Sequence, residues 1–239
     1  MPFISLVHHA IMLRHLHLAR KDFCMTENAR IKLLIVDPHP VVRAGIRYFI
    51  RNEDDIAIVG EVVNGQDAIR LARQIDVSIM LIEIALNDRN GMDVIKQIKR
   101  EFPHISLIVF SSHREDQYAI RSLKAGASGF LSKLCVAEEL ILALQQVSSG
   151  LKFISPELAQ EMANNLNNEH INEPHKILSD REYQTMMMIA SGKSVSDIAK
   201  ELSLSVKTIS EYRARILIKM RLRHNAELTH YAIKNELVE

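Results

Sequence analysis

Several features that would define a class of protein at once are scarce in this sequence. It has only two cysteines, Cys24 and Cys135, whose spacing fits neither a disulfide framework nor a metal site, so a reducing, cytoplasmic location is expected. No apolar run approaches the roughly 20 residues that cross a bilayer, so no membrane contact is expected. The sequence also lacks a glycine-rich phosphate loop, a nucleophile–base pair and a metal-binding triad. These absences predict a protein that is not an enzyme and that holds no cofactor.

The net charge of +1 at neutral pH predicts no particular partner, but the distribution of the charge is uneven. Between Lys207 and Arg223 the chain has six basic residues and a single acid, Glu211. One basic stretch in an otherwise neutral protein suits a local contact with nucleic acid. A solvated helix face would explain the same charges equally well.

The first 29 residues do not share the pattern of the rest of the chain. Apolar residues there are interrupted by basic side chains and by four histidines, at positions 8, 9, 15 and 17. A signal peptide needs an uninterrupted apolar core and a small-residue cleavage site, and neither is found. The histidines have no flanking carboxylate or cysteine that would complete a metal site. We expect residues 1–29 to be an unstructured extension, and Met25 offers an alternative start of translation.

Residues 30–150 alternate between strand and helix patterns and form a predicted domain of their own. Short apolar runs predict strands at 31–36, 56–63, 77–82, 105–110 and 128–131. Helical spacing follows each strand, at 41–51, 66–74, 91–101, 115–124 and 137–149. Five such units predict an α/β domain with a five-stranded parallel, doubly wound sheet of the flavodoxin type. Sites in such sheets lie at the carboxyl ends of the strands.

The alternation stops at Gly150, and a linker is predicted for residues 151–177. This segment is rich in asparagine and contains Pro156 and Pro174. A proline suits the first turn of a helix, so one short helix is expected after Pro156. The rest of the segment is polar and is typical of a connection between domains.

Residues 178–239 show only helical periods and predict a small all-α domain of four helices. The first helix is expected to begin at a capping box, in which Ser179 and Glu182 satisfy each other's backbone N–H groups. Three further helices are predicted at 194–202, 206–220 and 226–236. Only three residues separate the second helix from the third, which is typical of a helix-turn-helix.

The helix at 206–220 has the two faces of a DNA-recognition helix. Ile209, Ile216 and Met220 recur at helical spacing and are expected to pack inward. The N-terminal part is expected to enter the major groove, where each base pair presents a distinct pattern of donors and acceptors. The candidates for base edges are Ser210, Glu211 and Ala214, and the other DNA-binding candidates are Lys207, Thr208, Tyr212, Arg213, Arg215 and Lys219. Glu211 could accept from a cytosine amino group or only pair with Arg215 one turn away.

Several motifs of this helical domain resemble one protein family. The segments LSDRE (178–182), IASGK (189–193), DIAKEL (197–202) and LSVKTI (204–209) are similar to the LuxR-type helix-turn-helix of the NarL/FixJ response regulators. The segments YRAR (212–215) and AELTHYAI (226–233) resemble its GacA/UvrY branch more narrowly. The resemblance covers the chain from Ile31 onward. It implies a transcription regulator of a two-component system that binds double-stranded DNA.

The resemblance also implies how the protein assembles on DNA. In this family the last helix forms the dimer interface, which assigns that role to residues 226–235. The implied contact residues are Ala226, Leu228, Thr229, Ala232 and Ile233. A homodimer implies an inverted-repeat site with half-sites about one helical turn apart. The implied signalling partner is a sensor histidine kinase.

By the same resemblance, the N-terminal domain is a receiver, in which a histidine kinase transfers a phosphoryl group to an aspartate. That chemistry uses two acids that hold Mg²⁺, the acceptor aspartate, a hydroxyl and a lysine. Asp37, Ser111 and Lys133 match the first acid, the hydroxyl and the lysine. Pro38 replaces the second acid, and Glu83 replaces the acceptor aspartate.

These two replacements predict a receiver that is phosphorylated poorly or not at all. Pro38 removes a ligand and a charge, which argues against Mg²⁺ binding, and the extra methylene of Glu83 misplaces the carboxylate by an amount that can cost about 100-fold in rate. Asp88, in the following loop, is not expected to act as the acceptor. Glu83 could imitate a phosphoaspartate by pairing with Lys133, with about half the charge, or the pocket could only support the fold. Conventional phosphorelay control and an interaction-only module acting through the receiver stay open as alternatives.

Overall fold

The structure, a computed structural model, describes residues 31–112, 115–156, 158–160 and 174–238. The extension predicted for residues 1–29 lies outside the described residues, as does the part of the predicted linker at 161–173. The chain from Ile31 onward forms one compact unit. The α/β domain and the helical domain are therefore described together.

The α/β domain is built on the parallel sheet that the sequence predicts. Its strands are β1 (Ile31–Val36), β2 (Ile56–Val62), β3 (Ile79–Ile82), β4 (Ser106–Ser111) and β5 (Gly129–Ser132). They pair in the order β2-β1-β3-β4-β5, and every pair is parallel. All four residues of β3, the central strand, are buried, as expected for a strand that is covered on both faces.

Helices cover both faces of this sheet. They are α1 (Pro40–Ile50), α2 (Gly65–Ala72), α3 (Gly91–Glu101), α4 (Glu115–Ala125) and α5 (Ala137–Ser148). Along β1, Leu33 and Ile35 belong to one hydrophobic cluster, whereas Leu34 and Val36 belong to the other. This is the alternation of side chains that a strand imposes, and it explains why β1 reads as a continuous apolar run.

The helical domain also has the predicted elements. A short 3₁₀ helix (Pro174–Ile177) leads into α6 (Asp180–Ala190), α7 (Val195–Glu201), α8 (Val206–Met220) and α9 (Asn225–Lys234). The predicted capping box is present at the start of α6, with both hydrogen bonds between Ser179 and Glu182 formed. Gly192 has a φ of +85° just after α6 ends, a conformation that glycine adopts without strain.

Two smaller expectations can be compared with the described residues. The chain is helical at residue 156 and at 158–160, which agrees with the short helix expected after Pro156. Within the described ranges, every helix is too short or too polar to cross a bilayer.

The two domains share part of one hydrophobic core. The cluster that contains Leu34 and Val36 of β1 also contains Tyr118 of α4 and Tyr183 of α6. The rings of Tyr118 and Tyr183 meet edge to face, with centroids 5.4 Å apart. The helical domain therefore packs on the α/β domain through α6.

Candidate functional site

The four polar residues of the predicted pocket meet at the carboxyl edge of the sheet. Asp37 follows β1, Glu83 follows β3, Ser111 ends β4 and Lys133 follows β5. The carboxyl ends of parallel strands lie at one edge of a sheet, which brings these side chains together from positions nearly 100 residues apart. Asp37, Glu83 and Ser111 are almost completely buried, with at most 2% of each residue exposed.

The Glu83 carboxylate is held by donors on both of its oxygens. Oε1 accepts from the backbone N–H groups of Ile84 (2.6 Å) and Ala85 (3.1 Å) and from the Ser111 hydroxyl (2.7 Å). Oε2 lies 2.6 Å from Lys133 Nζ. A hydroxyl, a lysine and two backbone amides thus surround a single anionic group.

Lys133 bridges the two buried carboxylates of the pocket. Its Nζ is 2.6 Å from Asp37 Oδ2 as well as 2.6 Å from Glu83 Oε2. The other Asp37 oxygen, Oδ1, accepts from the backbone N–H of His39 at 2.7 Å and lies 2.9 Å from His39 Nδ1. Sequence reasoning missed His39, although its position two residues after Asp37 makes such a contact natural.

The pKa of the Glu83 carboxyl is lowered from its usual value, although burial alone raises it. Burial disfavours the charged form, whereas the Lys133 ammonium, the Ser111 hydroxyl and the Ala85 N–H all favour it. The donors prevail, so Glu83 is ionised at neutral pH. The pocket therefore holds a carboxylate anion at the carboxyl edge of the sheet.

Of the three acids that the resemblance implies for this pocket, two carboxylates are present, those of Asp37 and Glu83. Mg²⁺ takes hard oxygen ligands in octahedral geometry, and the Pro38 side chain offers no oxygen. The Lys133 ammonium lies between the remaining carboxylates, at the place where a cation would balance them. Across the described ranges, no group of three or more His, Cys, Asp or Glu residues is arranged to hold a metal ion.

Asp88, which follows Glu83 by five residues, has a different role. Its carboxylate accepts from the backbone N–H groups of Gly65 and Gln66, both at 2.9 Å. These are the first two residues of α2, where an anion is favoured by the helix dipole. Asp88 therefore stabilises the start of a helix.

The second candidate site is the outward face of α8. Ile209, Ile216 and Met220 are buried, as the helical spacing predicts. The exposed side chains of this helix include Lys207, Ser210, Glu211, Ala214 and Arg215, while Thr208, Tyr212 and Arg213 are half-buried. The three residues proposed to read bases, Ser210, Glu211 and Ala214, are thus exposed among the residues that the structure describes.

Two details of α8 bear on the alternatives left open by the sequence. Within the described part of the chain, no ion pair joins Glu211 to Arg215; instead Arg215 Nε lies 3.4 Å from the Glu211 carbonyl oxygen, and its guanidinium lies 5.0 Å from the centre of the Tyr212 ring. Arg213 is tied to the start of α9, because its Nε donates to Asn225 Oδ1 at 2.6 Å.

Lys219, one of the DNA-binding candidates, has an ion-pair partner within its own domain. Its Nζ donates to Glu182 Oε2 at 2.6 Å, and Glu182 is only 3% exposed. This pair joins α8 to α6 inside the domain and holds the pKa of Glu182 below its usual value, against the effect of burial. Because its ammonium is paired with Glu182, we expect Lys219 to contribute less to DNA binding than Lys207 and Arg215.

The set of dimer contacts needs correction. Leu228 and Ala232 are completely buried in the core of their own domain, so neither side chain can reach a second copy. Ala226 and Ile233 are exposed and Thr229 is half-buried. Of the five residues implied for the dimer interface, these three are accessible on the outward face of α9.

Two family models match the chain in the order of its two domains. The response regulator receiver domain matches residues 33–145. The luxR family of bacterial regulatory proteins matches residues 176–232.

Similar proteins and structures cover most of the chain. The response regulator UvrY of Escherichia coli (strain K12) is 35% identical over 208 residues, which are 87% of this chain and 95% of UvrY. The response regulator GacA of Pseudomonas aeruginosa is 32% identical over 210 residues, with 87% and 98% covered. Among solved structures, RcsB of Salmonella typhimurium has a TM-score of 0.64 at 25% identity, covering 84% of this chain and 96% of RcsB. RcsB bound to promoter rprA with the phosphomimetic BeF₃⁻ has a TM-score of 0.61 at 25% identity, with 84% and 98% covered.

Proposed function

The chain belongs to the LuxR-type two-component response regulators, which are DNA-binding transcription regulators, and we propose that its receiver supports DNA binding without being phosphorylated. Glu83 takes the place of a phosphoaspartate permanently. No phosphoryl group and no Mg²⁺ are needed.

The observation that carries this proposal is the set of donors around the Glu83 carboxylate. Ser111 and Lys133, the hydroxyl and lysine that the family uses at its phosphoryl group, both contact Glu83, at 2.7 and 2.6 Å. The glutamate carries about one negative charge where a phosphoaspartate carries about two. Because Lys133 is shared with Asp37, this smaller charge is balanced without a divalent cation.

The same contacts disfavour phosphoryl transfer to Glu83. A carboxylate that already accepts four described hydrogen bonds and ion contacts must lose some of them to attack a phosphorus atom. The Mg²⁺ that would offset the growing charge has lost the ligand replaced by Pro38. A sensor histidine kinase would therefore have no competent acceptor in this receiver.

We extend the proposal to the DNA complex. The exposed N-terminal half of α8 would read bases through Ser210, Glu211 and Ala214, with Lys207 and Arg215 on phosphates. Two copies would meet through Ala226, Thr229 and Ile233 of α9, on an inverted repeat. A solved structure of two RcsB dimers bound to two parallel DNAs, similar at 26% identity with a TM-score of 0.54, supports this assembly.

The test uses the purified full chain with a small-molecule phosphodonor and Mg²⁺. We expect no mass increase on Glu83, tight DNA binding before the donor is added, and the same affinity afterwards. Glu83→Gln keeps the size of the side chain and removes its charge, so it should bind DNA more weakly. A phosphorylated Glu83 and a donor-dependent gain in DNA affinity would instead identify a conventional phosphorelay regulator.

A further inference from the structure

We propose that Gln184 is a positioning residue that links the Glu83 pocket to the DNA-binding domain through the loop of residues 83–90. This inference rests on the proposed function, because it explains how the anion in the pocket reaches the recognition helix. The pieces of the link are one carboxylate, one short closed loop and one buried amide pair between the domains.

The link begins with the hydrogen bonds between the Glu83 carboxylate and the backbone of its own loop. Oε1 fixes the first two amides of the loop, those of Ile84 and Ala85. The loop then closes on itself, because the Gly91 N–H donates to the Ile84 carbonyl at 2.8 Å. A Cβ on Gly91 would lie 2.6 Å from the Glu83 carbonyl oxygen, so only glycine allows this close approach. The loop is therefore a tight unit whose shape depends on the carboxylate at its start.

The link crosses to the helical domain at the other end of the loop. Asn90 is 2% exposed and Gln184 of α6 is 9% exposed, and Asn90 Nδ2 donates to Gln184 Oε1 at 2.9 Å. Asn90 Oδ1 meanwhile accepts from Met92 N–H at 2.8 Å, which caps α3. A buried amide pair of this kind is sensitive to small shifts, because a buried donor left without its partner is costly.

A second tie joins the middle of the loop to the turn that precedes α8. The Ser203 hydroxyl donates to the Asn87 carbonyl at 3.0 Å. Ser203 lies in the turn between α7 and α8 and has a φ of +54°. The loop thus contacts the helical domain at two places, one on α6 and one in the turn that precedes the recognition helix.

Other polar contacts between the domains, among the residues that the structure describes, lie on α3 and α4 rather than on this loop. Lys96 of α3 pairs with Asp180 at 2.6 Å, and Arg121 of α4 donates to the carbonyls of His175 and Leu178 at 2.8 and 2.9 Å. These contacts hold α6 against the receiver whatever the state of the pocket. Gln184 differs from them because its partner, Asn90, ends the loop that Glu83 organises.

A double-mutant cycle measured as DNA affinity tests the link. Glu83→Ala removes the acceptor of the loop amides, and we expect the affinity to fall on the order of tenfold, a usual size for coupling between sites. In the background of Gln184→Leu, Glu83→Ala should change the DNA affinity by less than about twofold, because the hydrogen bond that joins the loop to α6 is already absent. Lys96→Met is the matched control: it removes an interdomain contact outside the loop, so the full effect of Glu83→Ala should persist.

Hydrogen exchange of the α6 amides separates failure of the link from failure of the proposed function. The link predicts that Glu83→Ala speeds exchange in α6 of the otherwise wild-type chain but not in the Gln184→Leu background. If exchange responds in this way while DNA affinity does not, the link stands and the proposed function falls. If affinity falls but the effects of Glu83→Ala and Gln184→Leu simply add, the link is overturned and the proposed function stands. Ser203→Ala, an exposed substitution that leaves the core intact, should weaken the coupling in part, and an undiminished coupling would remove the second tie.

Discussion

At the scale of single residues, the pocket places one ammonium between two buried carboxylates. Lys133 is 2.6 Å from both Asp37 and Glu83, and its side chain is only 12% exposed. Buried charges are tolerated when they are paired and hydrogen-bonded. The Glu83 carboxylate meets this condition, because two backbone amides and the Ser111 hydroxyl also donate to it.

The lowered pKa of Glu83 gives stability a definite dependence on pH. A carboxyl whose pKa is lower in the folded than in the unfolded state stabilises the fold above its unfolded pKa of about 4.3, and this contribution is lost as pH falls through the folded pKa. The free energy of unfolding of the wild type should therefore fall more steeply below pH 5 than that of Glu83→Gln. Urea titrations of the two proteins from pH 7 downward measure this, and parallel curves would contradict the charged state of Glu83.

Sequence reasoning at this scale located the pocket residues but not all of their partners. The offsets of Asp37, Ser111 and Lys133 match a known pattern, which made Glu83 and Pro38 visible as exceptions. The ion pair of Lys219 with Glu182 could not be predicted, because the two residues are 37 positions apart in the sequence. The contact between Asn90 and Gln184 spans 94 residues, and local pattern carries no information at such a separation.

At the scale of elements, α6 connects the receiver, the linker end and the recognition helix. Its capping box begins at Ser179, and Glu182 serves both the cap and the ion pair with Lys219. The alternation of apolar runs and helical periods is sufficient to predict the strands and helices of both domains, within about two residues of their observed ends. Periodicity could not decide which side of α9 packs inward, because apolar residues lie on both sides; Leu228 and Ala232 are in the core while Ile233 is exposed.

The capping box of α6 gives a prediction about stability. Ser179→Ala removes the acceptor for the Glu182 N–H and should lower the free energy of unfolding by about 1 kcal/mol. Ser191→Ala is the control, since Ser191 lies exposed at the other end of α6 and only donates to the Met187 carbonyl. Its effect should stay within about 0.5 kcal/mol. Equal losses in urea unfolding would show that the cap does not contribute.

At the scale of the whole molecule, the receiver and the helical domain form one unit that leaves the reading face of α8 exposed. Ion pairs of both polarities cross the interface, from Lys96 to Asp180 and from Arg181 to Asp93. Neither of these two ion pairs uses a basic residue of α8. We therefore expect the receiver and DNA to use different surfaces of the helical domain.

The salt dependence of DNA binding tests the division between surface and structural cations. The logarithm of the affinity should fall with the logarithm of salt concentration by about 0.9 for each phosphate neutralised. Arg215→Ala should reduce this slope by roughly one unit per subunit. Lys219→Ala should leave the slope unchanged, because its ammonium is engaged by Glu182. A reduced slope for Lys219→Ala would show instead that Lys219 contacts a DNA phosphate.

We propose that Glu83 and Pro38 together free this regulator from phosphorylation, so restoring the aspartates of the family at both positions should restore its dependence on phosphorylation. DNA affinity is measured at one salt concentration for the wild type and for the double variant Pro38→Asp, Glu83→Asp, each with and without phosphodonor and Mg²⁺. We predict that the wild type binds equally well in both conditions, whereas the double variant binds weakly until the donor and Mg²⁺ are added. A wild type that gains affinity from the donor, or a double variant that binds tightly without it, would contradict the account.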